Sequence, residues 1–269
     1  AIEARADMSD ELHLALEKQQ FCLHCQIQVD SQYRPIGVEM LLRWAHPARG
    51  LVIPAQFIPL AEETGLIVPI GLWVLKTACA QLKSWEHDPE TRDLTLAVNV
   101  SAKQFRHADF VAQLRHILLE SGAKPSLIKL ELTESTVLEN FEDAIAKMSE
   151  LKLLGVSFSL DDFGTGYSSL QYLKRLPLDQ IKIDQSFVRD ITSDSNDAAI
   201  VQAIIAMTKA LDLSVIAEGV ETEAQREFLD LHGCHAFQGY LFGEPVPIGQ
   251  FEDMLRGENR SIMHSSALP

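Results

Sequence analysis

Ser157-Phe158-Ser159-Leu160-Asp161-Asp162-Phe163-Gly164-Thr165-Gly166-Tyr167-Ser168-Ser169-Leu170 begins as a short alternating strand, ends it in two adjacent acids and opens into a Gly-Thr-Gly turn. Successive strand residues point to opposite faces, so Phe158 and Leu160 share one face while Ser157, Ser159 and Asp161 share the other. A face of small polar residues that ends in a carboxylate suits a lined cavity better than a packed core. Adjacent acids at a strand end repel each other unless a cation lies between them. The segment therefore asks for a metal.

The same grammar recurs along the chain. Strands are expected over 21–29, 37–43, 95–99, 127–132, 156–161, 180–183, 213–217 and 235–238. Helices are expected near 10–19, 54–64, 72–86, 108–121, 141–154, 197–210, 222–232 and 248–255, with Ser193 or Ser195 and Thr222 as start signals and Gly155 as a C-terminal stop. Eight strands alternating with helices over about 250 residues predict an α/β fold, a (β/α)8 TIM barrel. An open doubly wound sheet would need a glycine-rich turn after its first strand, and none is present. Only Asp30-Ser31-Gln32-Tyr33-Arg34-Pro35-Ile36 separates the first two strands. That is hairpin length, too short for a helical crossover, so the first strand should run antiparallel and the barrel is a modified one.

Strand alternation then sorts the polar residues. Gly37, Glu39, Leu41 and Arg43 share a face. Asn99 falls with Ala97, Glu131 with Lys129, Lys182 with Asp184, Glu218 with Ser214, and Gln238 with Ala236. In each strand the opposite face is apolar and can meet the helices. Each polar head then sits near a C-terminal strand end, where barrel enzymes keep their chemistry. An acid after a strand commonly caps a helix, but seven polar strand ends in phase exceed what capping explains.

Glu39, Glu131, Asp161, Asp162 and the Asn99 carbonyl form an all-oxygen set suited to Mg²⁺ or Mn²⁺ rather than zinc. Four carboxylates carry more charge than one divalent ion needs. Two ions sharing Asp161, of the kind that activate water against phosphoesters, are the natural arrangement. Lys182 would orient or deprotonate the water, or balance the acids' charge. Arg43 can grip a phosphate.

The bulk composition narrows the partners. With 23 basic and 38 acidic residues the net charge is −15, which argues against long nucleic acid or an anionic membrane as a partner. The longest apolar run, Leu66 to Leu75, is broken by Pro69 and Gly71 and falls short of a membrane span, so no direct membrane insertion is expected. Four cysteines are too few for a disulfide scaffold and point to a reduced, cytosolic setting. Cys22 and Cys25 lie three apart in a strand, on opposite faces, and cannot share a zinc.

In this order the motifs resemble those of the EAL domain family of cyclic di-GMP phosphodiesterases. They are Glu39-Met40-Leu41-Leu42-Arg43-Trp44, Asn99-Val100-Ser101, Glu131-Leu132-Thr133-Glu134-Ser135, Asp161 through Ser168, Ile181-Lys182-Ile183-Asp184, Ala217-Glu218-Gly219-Val220-Glu221 and Gln238-Gly239-Tyr240-Leu241-Phe242. The resemblance implies hydrolysis of cyclic di-GMP to linear 5′-pGpG, with two Mg²⁺ or Mn²⁺ on Glu39, Asn99, Glu131, Asp161 and Asp162, and with Ca²⁺ inhibitory. It implies catalytic roles for Lys182, Glu218 and Glu39, with Gln238 holding water or ligand. Gln26, Leu41, Arg43 and Gln238 would contact substrate. The loop Phe163-Gly164-Thr165-Gly166, steadied by Glu134, would order the metal site, and with the following helix it would form a homodimer interface.

Two departures from the family pattern stand out. Met40 replaces the motif's alanine but faces the helix layer, so packing should change while the ligand stays. Cys25-Gln26-Ile27 replaces Tyr-Gln-Pro and keeps the glutamine. The alternative function is a module that binds cyclic di-GMP without hydrolysing it. The expected division is a lead at 1–11 from an upstream sensory or GGDEF domain, the EAL domain at 12–255 and a tail at 256–269. The setting is cytoplasmic, or the cytoplasmic part of a membrane-tethered protein.

Overall fold

The computed structural model describes residues 2–164 and 170–257. The fold starts with helix α1 (Ile2–Glu17), then β1 (Phe21–Asp30) and β2 (Pro35–His46) as a hairpin. Asp30 makes the turn: its carboxylate accepts from the backbone N–H of Gln32 at 2.8 Å and of Arg34 at 3.0 Å, and from the Arg34 Nε at 2.7 Å. Tyr33 takes the left-handed φ of 60° that the turn needs. An aspartate that satisfies its own turn in this way stabilises a reversal without a helix.

From there the chain alternates. After a short β3 (Gly50–Val52) come α2 (Pro54–Thr64), α3 (Ile67–Trp85), β4 (Thr95–Asn99), α4 (Ala102–Arg106), α5 (Phe110–Ser121), β5 (Ile128–Thr133), α6 (Glu134–Leu138), α7 (Phe141–Leu153) and β6 (Ser157–Phe163). The second half runs α8 (Leu170–Leu173), β7 (Gln180–Ile183), α9 (Gln185–Arg189), α10 (Ser195–Ala210), β8 (Ser214–Ala217), α11 (Glu223–His232), β9 (Ala236–Phe237), β10 (Val246–Pro247) and α12 (Ile248–Leu255). The strands follow the order β10-β1-β9-β8-β7-β6-β5-β4-β2-β3, and the β1–β2 pairing closes the ring. β1 is antiparallel to β2 and β9, and the pairs from β2–β4 through β8–β9 are parallel. The fold is a mixed α/β barrel of the modified TIM type, as expected from the hairpin.

The apolar strand faces pack outward on the helices. Val38, Leu96, Ile128, Leu130, Phe158, Ile181 and Phe237 are fully buried there. Met40 is 2 % exposed, and Cys25, its partner across β1–β2, donates from Sγ to its Sδ at 3.6 Å.

Differences from the expected elements have local causes. The helix expected at 72 begins at Ile67; Pro69 falls in its first turn, where a missing N–H costs nothing. The cap of α10 is Asp194, which accepts from Asn196 at 2.7 Å, in place of Ser193 or Ser195. Helices α4, α6 and α9 have five residues each, too few to show an apolar period; they start on Ser101, Thr133 and Asp184 caps directly after β4, β5 and β7. The expected division at residue 12 falls inside α1, which buries Leu12 and Ala15 in the core. Among the described residues no helix is long and apolar enough to cross a membrane.

Deleting the Met40 side chain should leave a cavity between sheet and helices. Met40→Ala is expected to lower stability in urea unfolding by about 2–4 kcal/mol, and Met40→Leu by less than about 1.5 kcal/mol. Wild-type stability in Met40→Ala would mean the side chain packs elsewhere.

Candidate active site

At the C-terminal ends of the parallel strands lies a cavity of about 410 Å³. Its floor is a buried lysine. Lys182, on β7, is 1 % exposed and places its Nζ 2.6 Å from Glu131, 2.6 Å from Glu218, 3.4 Å from Asp161 and 3.7 Å from Glu39. Those four acids come from or just beyond β5, β8, β6 and β2. They meet because parallel neighbours are in register, with Ala97 opposite Glu39, Glu131 opposite Asn99 and Thr133 opposite Asp161.

Glu39 is held from two sides. Asn99 Nδ2 donates to its Oε1 at 2.6 Å, and Gln238 Nε2 donates to its Oε2 at 2.6 Å. The Gln238 amide also donates to Gln26 Oε1 at 2.9 Å and accepts from Gln28 Nε2 at 2.9 Å. Gly37 makes room for this glutamine layer, since a Cβ there would lie 2.8 Å from Gln28 Oε1 and 2.9 Å from the Thr95 carbonyl.

Electrostatics divide the acids. Burial alone would raise the Glu39 carboxyl, but the Lys182 ammonium and the Gln238 and Asn99 hydrogen bonds hold it below the usual carboxylate range. Burial pushes Glu131 well above that range; Lys182 opposes the rise, and the charges of Glu39, Asp161 and Glu218 add to it. Burial likewise pushes Glu218 up to about 8 against the pull of Lys182, with Asp161 and Glu39 adding to the rise. Burial disfavours the Lys182 charge, yet its surrounding carboxylates keep that ammonium protonated far above its ordinary range.

One ammonium cannot neutralise four carboxylates. Among the described residues no other cation forms a salt bridge with them, and burial beside the other acids pushes Glu131 and Glu218 toward the neutral form. Glu131 Oε1 is buried without a hydrogen-bond partner, a costly state for a carboxylate oxygen. Four crowded buried carboxyl groups around one ammonium, an orphaned oxygen and oxygen-only donors fit hard divalent cations. The acids converge on Lys182 rather than forming a closed three-acid cage among the described residues.

The strand alternation does not carry through Asp161 and Asp162. The β6–β7 register shifts between Leu160 and Phe163, and Asp162 adopts a left-handed φ of 54° at this bulge. Burial raises the Asp162 carboxyl, and Asp161 and Asp184 raise it further. Asp184 caps α9 through the Ser186 N–H at 3.0 Å.

Leu41, Arg43, Gln26 and Gln238 line the cavity with Glu39, Asp161, Lys182 and Glu218. Arg43 is half-buried, and its Nη1 donates to the Leu42 carbonyl at 2.9 Å. Glu134 and Phe163 meet at a smaller neighbouring cleft beside Tyr172 and Leu173. Gly164 has a φ of 96°, with Phe187 3.1 Å from a Cβ built there, so glycine is required. Thr165 and Gly166 lie outside the described residues.

The sequence reading missed Gln28, Gln185, Tyr240 and Pro245. Gln28 was accessible, because it alternates in phase with Gln26. The other three lie on loops or a one-turn helix, where strand phase carries no information.

Comparison with known proteins places this geometry. The EAL domain family model matches residues 9–245. The chain is 51 % identical over 241 residues to the bifunctional diguanylate cyclase/cyclic di-GMP phosphodiesterase MucR of Pseudomonas aeruginosa, covering 89 % of this chain and 35 % of that protein. It is 44 % identical to the cyclic di-GMP phosphodiesterase NbdA of the same organism, covering 93 % of this chain and 32 % of NbdA. The chain thus spans about a third of the length of these relatives. Among solved structures, the MucR phosphodiesterase in complex with c-di-GMP superposes with a TM-score of 0.87 at 50 % identity, over 90 % of this chain and 98 % of that one. The calcium/c-di-GMP complex of BlrP1 from Klebsiella pneumoniae superposes with a TM-score of 0.74 at 30 % identity, over 86 % of this chain and 57 % of that one. A barrel with an antiparallel first strand, four acids gathered on one buried lysine and a match across most of its length establish that the chain belongs to the EAL domain family.

Proposed function

We propose that this domain hydrolyses cyclic di-GMP to linear 5′-pGpG with two divalent ions, Mg²⁺ or Mn²⁺. The observation that carries the reading is the crowding of four acids around one buried lysine in a cavity that a half-buried arginine also lines. The names and bound nucleotide of the relatives support the substrate. Glu39, Glu131, Asp161, Asp162 and the Asn99 carbonyl would hold the ions, with Asp161 shared. Bound there, the ions would lower the pKa of a water and neutralise charge on the phosphoryl oxygens.

The chain's own groups do the rest. Arg43 grips a phosphate at the mouth, and Leu41 and Gln26 flank it. Lys182, held protonated by its four acids, donates to the attacking water and orients it. Glu218 sits 2.6 Å from Lys182, where it shares the handling of the attacking water's proton. Gln238 keeps Glu39 in place.

A non-hydrolysing binding module would be expected to have lost part of this set, and the chain keeps all five candidate ligands. Dimerisation through the loop and helix after Asp162 belongs to the same proposal. Since the proposed substrate is an intracellular signal, the domain would act in the cytoplasm.

Incubation with cyclic di-GMP and Mn²⁺, followed by chromatography, should yield pGpG. Loss of a supporting group around a metal costs 10–100-fold, so Glu39→Ala should lower turnover by more than about 100-fold. Intact nucleotide binding with no product from the wild type would overturn the proposal. Lys182→Ala should lower kcat by about 100-fold or more while the Kd for cyclic di-GMP stays within a few-fold; weakened binding at unchanged kcat would remove Lys182 from the chemistry. Replacing Mg²⁺ by Ca²⁺ should inhibit, because its larger and looser shell holds the water less well, and equal rates in the two ions would contradict this.

A further inference from the structure

One buried amide takes no part in the chemistry above. Gln28 lies on β1 opposite Gly37 of β2 and is 2 % exposed. It does not line the cavity. Its Nε2 donates to Gln238 Oε1 at 2.9 Å, and Gln238 Nε2 donates in turn to Glu39 Oε2 at 2.6 Å and to Gln26 Oε1 at 2.9 Å. Gln26 Nε2 then donates to the Gly243 carbonyl at 3.3 Å. Every bond in this layer therefore runs the same way, donor to acceptor, outward from Gln28. One branch ends on a carboxylate and the other on a backbone carbonyl.

A primary amide has a donor end and an acceptor end, so Gln238 has two orientations related by a flip. Only one of them presents N–H to Glu39. The other sets a carbonyl oxygen against a carboxylate oxygen, two groups that only accept. Gln28 discriminates between the two from the far side, because its N–H needs the Gln238 oxygen. With Gln28 in place, Gln238 Oε1 is satisfied and the amide is held at both ends. Without that donor the buried oxygen loses its partner, a costly state, and Glu39 is steadied by an amide that is itself fixed at one end only. Gly37 makes this arrangement possible, since a Cβ there would lie 2.8 Å from Gln28 Oε1.

We propose that Gln28 is a positioning residue that sets the polarity of the amide layer: by donating to Gln238 Oε1 it turns the Gln238 donor toward Glu39 and presets that carboxylate for a divalent ion. This rests on the metal-dependent reading above. Gln28 acts through Gln238 alone, and its effect falls on metal affinity before any nucleotide arrives.

The test is a double-mutant cycle read by Mn²⁺ affinity, with free ion followed by electron paramagnetic resonance and no nucleotide present. The variants are Gln28→Met, Gln238→Met and the two combined, each checked for folding by circular dichroism. Gln28→Met keeps the side chain's length and removes its donor, and it should weaken Mn²⁺ binding by about 10- to 100-fold, the usual cost of losing a partner that orients a metal ligand. Gln28→Asn, a smaller change that keeps an amide but withdraws it by one methylene, should weaken binding in the same direction and serves if Gln28→Met does not fold. In the Gln238→Met background the Gln28→Met change should cost less than about two-fold, because the residue through which it acts is gone. A wild type that binds no Mn²⁺ would sink the metal-dependent reading itself. A wild type that binds Mn²⁺, with affinity unchanged in the folded Gln28 variants, would sink the positioning role alone. So would a Gln28→Met loss that is equally large with and without Gln238, since that loss would be a general structural one.

Discussion

Everything in the site depends on one ammonium shared by four carboxylates. Lys182 is buried at the centre of the barrel mouth and touches an acid from each of four strand ends. A buried charge is tolerated only when paired, so the lysine and the acids require one another. The acids still outnumber it. A cluster held together by a single cation yet short of positive charge is preorganised to bind more cations, and the fold keeps its carboxylates from separating by anchoring each on a different strand.

The supporting layer is made of amides. Gln26 and Gln28 each bond to Gln238, and Gln238 and Asn99 carry the bonds on to Glu39. Neutral donors of this kind fix a carboxylate's orientation without consuming its charge, and they leave the deficit for a metal to fill. The antiparallel hairpin matters here. Because β1 pairs with β2 with Gln26 opposite Glu39, the first strand delivers its glutamines to the same layer as the acids.

Much of this was legible in the residues, for a physical reason. Strand alternation is a two-fold rule, so Glu39, Asn99, Glu131, Asp161, Lys182, Glu218 and Gln238 could each be assigned to the barrel interior from neighbours alone. The hairpin length settled the direction of the first strand. What escaped was short or irregular. Helices α4, α6 and α9 have no period to read, and each is set by a single capping side chain. The bulge at Asp162 breaks the alternation at the one point where two ligands are adjacent in sequence. Tyr240 sits on a loop whose conformation follows from the contact of Gly239 with Val220, a pairing distant in sequence.

The central claim is that the acid cluster is built for two cations. Equilibrium titration of the metal-free domain with Mn²⁺, with free ion read by electron paramagnetic resonance, tests it without substrate or turnover. The account predicts two Mn²⁺ bound per chain and a loss of that binding in Glu131→Gln. A chain that binds no Mn²⁺, or a Glu131→Gln variant that binds as wild type does, would contradict it.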